Sequence, residues 1–321
     1  MALALLTLLG ACASTAPAPP RGAASELAAV PFFPQTEYQC GPAALATVLV
    51  HSGVTTRPET LTPQIYLPGR KGSLQLELLA AARRAGRIPF TLTGGPDALL
   101  AELAAGNPVL VLQNLGLRSL PRWHYAVVVG YQPERQRVIL RSGTERRRQE
   151  PWSRFMASWA RADLWGLIVP SPGELPASAS PGSLGPELAG QEEQLDPALA
   201  HAAWENALAR WPQAADILFA TASARRSVAD QAGAAALYQR LLMLDPDHMA
   251  ARNNFADLLL HAGCPAAAAA AIAPAFAAAN RLASHVQDAV TTTAAAIARQ
   301  EAENSIDPEY CRGLSGEPPS P

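Results

Sequence analysis

A single cysteine, Cys40, lies where an extended segment meets an apolar stretch. Gly41 and Pro42 follow it at once, and proline is well tolerated in the first turn of a helix. The sulfur is therefore predicted at a helix N-terminus, where free N–H groups and the helix dipole stabilise a thiolate. Such a cysteine is a candidate nucleophile, and its alkylation is expected below the pH at which a free thiol, of pKa about 8.5, reacts. The alternative interpretation is a buried structural cysteine.

Two further residues could serve a cysteine nucleophile. His124 opens the run HYAVVVGY and could accept or hold the thiol proton, while Gln35, upstream of Cys40, could donate its amide to an oxyanion. Each also has a simpler interpretation, because a glutamine in a turn is usually solvated and a histidine that begins a strand is usually structural.

The order Gln35, Cys40, His124 resembles that of the papain-like cysteine peptidases. More closely, PQTEYQCGPAAL and HYAVVVGY are similar to the family that trims double-glycine leader peptides in bacteriocin export. The resemblance covers roughly residues 29–170 and implies an α+β papain-like domain that hydrolyses peptide bonds. It implies a Cys40 thiolate paired with a His124 imidazolium, Gln35 as oxyanion donor, and no cofactor.

The same resemblance predicts a third catalytic position. In the family an Asp or Asn orients the imidazole, and the corresponding position falls at about Ser142, which carries no charge; Glu145 could substitute for it. Three alternatives stay open: a dyad, a weaker orienting group, or a degenerate domain that only binds a partner. Amidase or transglutaminase-type acyl transfer would use the same nucleophile and is not separated from peptide hydrolysis by the sequence.

Periodicity and turn residues predict the elements of this domain. We expect strands at 29–33, 89–93, 108–113, 124–131, 137–141 and 165–169, and helices at 41–51, 74–85, 96–105 and 152–162. Ser73 is expected to cap the second of these helices. The cysteine would then lie in a helical half and the histidine in a sheet half.

The first residues, MALALLTLLGACAS, resemble a bacterial lipoprotein signal that ends at a lipidated Cys12. Residues 1–12 would form the signal segment, cleaved before Cys12 so that the lipidated cysteine becomes the new N-terminus, and residues 13–28 would form a tether. Ala13 and Ser14 follow Cys12, a pattern of lipoproteins sent to the outer membrane, so we expect a cell-envelope protein facing the periplasm. The alternatives are a buried N-terminal helix and an ordinary signal peptide.

Cysteine count and charge limit the other possibilities. With Cys12 lipidated and Cys40 catalytic, Cys264 and Cys311 remain and could form a disulfide in an oxidising compartment. Neither shows metal-ligand spacing with a histidine, so no metal is predicted. The formal net charge of −2 gives no case for nucleic acid or an anionic membrane surface, so membrane contact is expected through the lipid anchor only.

The last third of the chain repeats itself at a constant spacing. The recurring positions are Ala200, Trp204, Ala207 and Pro212, then Ala234, Tyr238, Leu241 and Pro246, then Ala268, Ile272 and Ala275. This pattern resembles the tetratricopeptide repeat, which binds peptides or partner proteins, and the alternative is an irregular alanine-rich bundle. We expect an all-α repeat domain at 196–300, joined by a linker at 171–195 and followed by a tail at 301–321. A helix after Phe276 should cap the array.

Overall fold

The computed structural model describes residues 25–34, 39–301 and 308–316. Two compact units share the chain: the first contains the chain up to Ala85, Pro89–Val169 and Pro176–Ser178, and the second contains the remainder. Within the described ranges, no helix is both long and apolar enough to cross a membrane. The predictions for residues 1–24, including Cys12, and for Gln35 lie outside the described residues.

The N-terminal unit is an antiparallel sheet with helices on both faces. Its strands are β1 (Ser25–Glu26), β2 (Phe90–Thr91), β3 (Val109–Asn114), β4 (Trp123–Gln132), β5 (Arg137–Ser142), β6 (Glu145–Pro151) and β7 (Gly166–Ile168). Its helices are α1 (Cys40–His51), α2 (Pro58–Ile65), α3 (Gln75–Arg84), α4 (Gly95–Ala104) and α5 (Trp152–Ala160). The strand order is β2-β7-β3-β4-β5-β6, and β1 pairs with β4. The two long apolar strands β3 and β4 are therefore central.

Alternating side chains of the central strands build two separate cores. Leu110 and Leu112 of β3 pack with α1, α2 and α3, whereas Val109 and Val111 pack with α4 and α5. Successive side chains of a strand point to opposite faces, so a strand that is apolar throughout requires cover on both sides. This arrangement places α1, which begins with Cys40, against β4.

Helix α2 and strand β6 of this unit were not predicted. Helix α2 buries Leu61 and Ile65, one turn apart, but Pro63 and the glycines and proline that follow gave this stretch the composition of a turn. Strand β6 has the polar sequence ERRRQEP and pairs with β5 only. An edge strand needs no second apolar face, so no alternating pattern was available to predict it.

The predicted strand at 29–33 is wrong, because the strand that pairs with the sheet lies before it, at Ser25–Glu26. The carbonyl groups of Ala28 and Val30 accept hydrogen bonds from the buried guanidinium of Arg141 instead. A side chain thus satisfies backbone groups that a strand would have paired, and no neighbouring strand is needed.

The second unit contains only helices. They are α6 (Pro181–Ala189), α7 (Pro197–Arg210), α8 (Ala215–Ser227), α9 (Gln231–Leu244), α10 (Met249–His261), α11 (Pro265–Ala277), α12 (Ser284–Glu301) and α13 (Pro308–Ser315). Helices α6, α8 and α10 begin at a constant spacing, and α7, α9 and α11 begin at that same spacing. The helices therefore recur in pairs with the period seen in the sequence.

The segment 171–195 is not simply a linker, because it contains α6. Ser180 forms a capping box with Ser183, and Pro181 occupies the first turn. Leu184 and Leu188 are both buried, and α6 packs against α8. The segment was predicted as a linker because it is rich in proline, glycine and serine. Its two leucines lie one turn apart and suffice to dock a short helix.

The repeated residues are buried at equivalent places in this unit. Trp204, Tyr238 and Ile272 lie in α7, α9 and α11 and are between 0% and 4% exposed. Helix α12 follows α11 and buries Val290 and Ile297, as expected of a helix that caps the array.

The predicted tail contains a further helix, α13, which is bonded to the array. Cys264 and Cys311 form a disulfide with a Cα–Cα distance of 5.5 Å. Gln239 Nε2 of α9 donates a hydrogen bond to the Leu314 carbonyl at 2.5 Å, and Leu314 is buried. Three interactions therefore hold α13 against the repeats.

Removing the disulfide by the substitution Cys311→Ser should lower the free energy of unfolding of the helical unit by roughly 2–4 kcal/mol, because the unfolded chain loses a covalent constraint. Urea unfolding followed by circular dichroism measures this change. Reductant should destabilise the wild-type protein by a similar amount and leave Cys311→Ser unaffected. Equal stability of the oxidised wild type and the variant would contradict the prediction.

Candidate active site

Cys40 is the first residue of α1, and its sulfur meets backbone donors. Burial raises the pKa of the Cys40 thiol above its ordinary value, and hydrogen bonds from the backbone N–H groups of Tyr125, Gly41 and Cys40 only partly oppose this rise. The predicted low pKa is therefore wrong for the substrate-free protein. The helix N-terminus supplies the expected backbone donors, but desolvation of the sulfur outweighs them.

His124 lies in the second position of β4 and is half-buried. Its Nε2 atom is 2.8 Å from Ser142 Oγ, which leaves Nδ1 as the second ring nitrogen for proton transfer. Burial lowers the pKa of His124 to about 4, and the charges of Arg148 and Arg122 act in the same direction. The imidazole is therefore neutral at pH 7 and is able to accept a proton.

Ser142, rather than Glu145, is the residue that contacts His124. Ser142 ends β5 and is 3% exposed. Glu145 faces Ser142 across the β5–β6 turn, but its carboxylate forms an ion pair with Arg148 at 3.5 Å and its side chain is 61% exposed. The group that orients the imidazole is thus an uncharged hydroxyl.

Tyr125 connects the cysteine to the histidine strand. Its backbone N–H donates to the Cys40 sulfur, and it directly follows His124 in β4. Its hydroxyl donates to the Ser73 carbonyl at 3.2 Å, which holds the segment before α3 at the start of α1. No pattern in the sequence pointed to this role, since a tyrosine in an apolar strand usually fills the core.

Ser73 and Gly41 touch at the N-terminus of α1. A Cβ atom at Gly41 would lie 2.5 Å from Ser73 Oγ, so only glycine fits beside the nucleophile. Ser73 does not cap α3 as predicted, because the N-cap is Leu74 and no side chain caps this helix. The Ser73 hydroxyl oxygen is instead buried, without a hydrogen-bond partner in the described part of the chain.

Arg141 is a second residue that the sequence analysis missed. It precedes Ser142, is 3% exposed, and donates to the carbonyl groups of Val30 at 3.1 Å and Arg146 at 2.6 Å. It therefore ties β5 to the segment that leads towards Gln35. An arginine inside the apolar run RVILRS was the available signal, because a buried cation requires hydrogen-bond partners.

The assembled side chains suit nucleophilic acyl transfer. Cys40 could supply a sulfur nucleophile and His124 a neutral base, and Ser142 is the hydrogen-bond partner of the ring. Among the described residues, no group of three His, Cys, Asp or Glu side chains could hold a metal ion.

Comparison with known proteins is consistent with this site. Residues 27–163 match the model of the Peptidase_C39 like family, which is less than half of the chain. No curated protein gives a significant match.

Three solved structures are similar to the chain. A C39-like peptidase from Bacillus anthracis is 19% identical, covers 46% of this chain and 97% of its own, and has a TM-score of 0.39. A double glycine motif protease from an AMS/PCAT transporter, in complex with the leader peptide, is 22% identical, with 47% and 96% coverage and a TM-score of 0.36. The peptidase domain of Streptococcus ComA is 22% identical, with 44% and 99% coverage and a TM-score of 0.36.

The family match, with Cys40 and His124 inside the matched range, assigns the first unit. The chain consists of an N-terminal C39-like sheet domain, similar to a family of cysteine peptidases, followed by a helical C-terminal region.

Proposed function

We propose that this protein is a cysteine peptidase of the bacterial cell envelope that hydrolyses peptide bonds through Cys40 and His124. The observation that carries the proposal is the contact of 2.8 Å between His124 Nε2 and Ser142 Oγ, beside a cysteine at the start of α1. This contact supports a role for His124 as a base whose ring has a fixed orientation. Gln35 donates its side-chain amide to the oxyanion in this proposal.

The neutral state of both groups defines the order of the steps. As the Cys40 sulfur attacks the carbonyl carbon, its proton passes to His124 Nδ1, and the carbonyl π electrons move to the oxygen. The oxyanion is stabilised by the Cys40 N–H and by Gln35. When the C–N bond breaks, the amine leaves with the proton from His124, and water then hydrolyses the thioester with His124 as base.

Ser142 is compatible with the tautomer that this mechanism requires. With Nδ1 free to accept the proton, Nε2 carries the hydrogen and donates it to Ser142 Oγ. The hydroxyl orients the ring but adds no negative charge, so it does little to stabilise the imidazolium. The enzyme should therefore be slower than one that has a carboxylate at this position.

Two features support a location in the cell envelope, with the protein held at the outer membrane by a lipid on Cys12 and facing the periplasm. The first is the signal-like sequence before Cys12. The second is the disulfide between Cys264 and Cys311, since disulfides persist mainly in oxidising compartments.

The helical unit is proposed to recruit the protein substrate or another protein partner. Its helix pairs recur at a constant spacing, with buried aromatic or branched residues at equivalent positions, as in tetratricopeptide repeats. Stacked helix pairs of this kind present an extended surface to peptides.

A second candidate function is a binding protein with a degenerate peptidase fold. The raised pKa of Cys40 and the uncharged Ser142 favour this alternative, because both reduce the reactivity of the sulfur. Amidase or transglutaminase-type acyl transfer would use the same residues and differs only in the amide attacked and the nucleophile that resolves the thioester.

The substitution Cys40→Ala should abolish hydrolysis of a peptide substrate, since no other described residue supplies the nucleophile. In a Cys12→Ser background, iodoacetamide should label Cys40 with a pH midpoint above the ordinary thiol value of about 8.5, because burial raises its pKa. Labelling is measured by mass spectrometry against Cys40→Ser. Hydrolysis that survives Cys40→Ala would refute the peptidase proposal, and a midpoint below that value would indicate a preformed ion pair.

The acid limb of the pH profile of kcat/KM should report His124. The neutral ring is the base, so activity is present above its pKa and is lost as the pH falls through about 4. Ser142→Asp should move this limb to higher pH, because a carboxylate stabilises the imidazolium. Ser142→Ala should lower kcat/KM about tenfold by removing a hydrogen bond. Thr144→Ala, on the same turn, is the control. If the acid limb of the pH profile does not move in Ser142→Asp, His124 is not the base.

A chain that ends at Ser178 should keep activity on a short peptide but lose turnover of its protein target. We expect to find this target in extracts of the cell envelope. Ser178 must be retained because its N–H and hydroxyl donate to the buried carboxylate of Glu102 at 2.7 and 2.5 Å. A chain that ends at Val169 should therefore be less stable. Equal loss of both activities in a folded Ser178 chain would show that the repeats take part in the chemistry.

A further inference from the structure

The turn between β3 and β4 presents apolar side chains to solvent. Leu115, Leu117, Leu120 and Trp123 are 41%, 69%, 73% and 56% exposed. We refer to residues 115–123 as the leucine turn. A large apolar side chain is normally exposed only singly, so this group, close together in the sequence, indicates a surface that another molecule covers.

Buried hydrogen bonds hold the leucine turn in this conformation. Asn114 is 1% exposed, and its Oδ1 accepts from the N–H groups of Gly116 at 2.9 Å and Arg122 at 3.0 Å. Its Nδ2 donates to the Leu117 carbonyl at 3.3 Å, while Arg161 donates to the Asn114 carbonyl at 2.8 Å. The turn therefore has a fixed shape that displays its leucines.

The charges of the leucine turn are all basic. Arg118 and Arg122 are exposed between the apolar residues, and no acidic residue occurs between Asn114 and Gln132. The turn links two adjacent antiparallel strands, so it projects from the end of the sheet. A projecting apolar tip with arginines suits a broad surface that has phosphate groups outside and an apolar layer beneath them. A small ligand, by contrast, requires a concave pocket.

We propose that the leucine turn docks onto a phospholipid membrane surface. The leucines enter the boundary between headgroups and acyl chains, Trp123 lies at the level of the headgroups, and the arginines contact lipid phosphates. The formal net charge of the whole chain gave no indication of such contact. Attraction to lipid phosphates is local and falls off within a Debye length, so the charge of the turn matters more than that of the chain.

Docking through the leucine turn would bring the candidate active site close to the membrane. Trp123 is adjacent to His124 in β4, so the site and the docking surface share one strand end. This contact is additional to a lipid on Cys12 and does not depend on it. The inference also stands independently of the proposed peptidase activity.

Vesicle binding of the full chain tests the proposal. In a Cys12→Ser background, which carries no lipid, we compare Leu117→Asn/Leu120→Asn with Leu76→Asn by co-sedimentation with vesicles of equal parts phosphatidylethanolamine and phosphatidylglycerol. Leu76 is 75% exposed in α3 and is the matched control. The double variant should bind about tenfold more weakly, because it removes two apolar side chains from the interface. Leu76→Asn should bind as the parent does.

Two further measurements separate lipid docking from substrate recognition by the same turn. Vesicles should shift the tryptophan emission of the parent to shorter wavelength, and Trp123→Phe should remove most of this shift. Arg118→Gln should weaken binding to the anionic vesicles more than binding to phosphatidylcholine vesicles. Equal binding of the double variant and the parent would overturn the proposal. So would unchanged vesicle binding with a raised KM for peptide, which would assign the turn to substrate recognition.

Discussion

The burial of α1 against β4 is the constraint on which the candidate site depends. Residues 41–49 of α1 are buried without interruption, because the sheet covers one side of the helix and α2 and α3 cover others. A helix packed on all sides cannot shift along its axis without opening cavities, so its first residue has a fixed position. That position places the Cys40 sulfur at the backbone N–H of Tyr125, the residue that follows His124 in β4.

The same burial determines the protonation of the site. Desolvation disfavours charge, so it raises the pKa of the thiol and lowers that of the imidazole, and both groups are neutral at pH 7. A carboxylate beside the ring would oppose this effect, but Ser142 provides only a hydroxyl. Proton transfer during attack, rather than a standing ion pair, is the mechanism consistent with these surroundings.

The helical unit is stabilised by contacts between neighbouring helix pairs, because one helix pair cannot bury its own apolar face. The array covers its first and last pairs with helices that depart from the repeated sequence. Helix α6 is short and proline-rich, yet Leu184 and Leu188 dock it, while α12 and the disulfide-bonded α13 lie at the other end. Helix α12 was predicted as a cap, whereas α6 and α13 were assigned from composition to a linker and a tail, since few apolar residues suffice for a helix that covers one side.

By itself the sequence determined the local features: the helix that begins at the cysteine, the long apolar strands, and the constant spacing of the repeated helix pairs. Each follows from propensity and periodicity, which can be read directly along the chain. The tertiary structure alone decided that β6 pairs as an edge strand, that Arg141 replaces a strand at 29–33, and that Ser142 rather than Glu145 contacts His124. It also decided the pKa of Cys40. Pairing, burial and desolvation depend on residues far apart in the chain, so no local pattern encodes them.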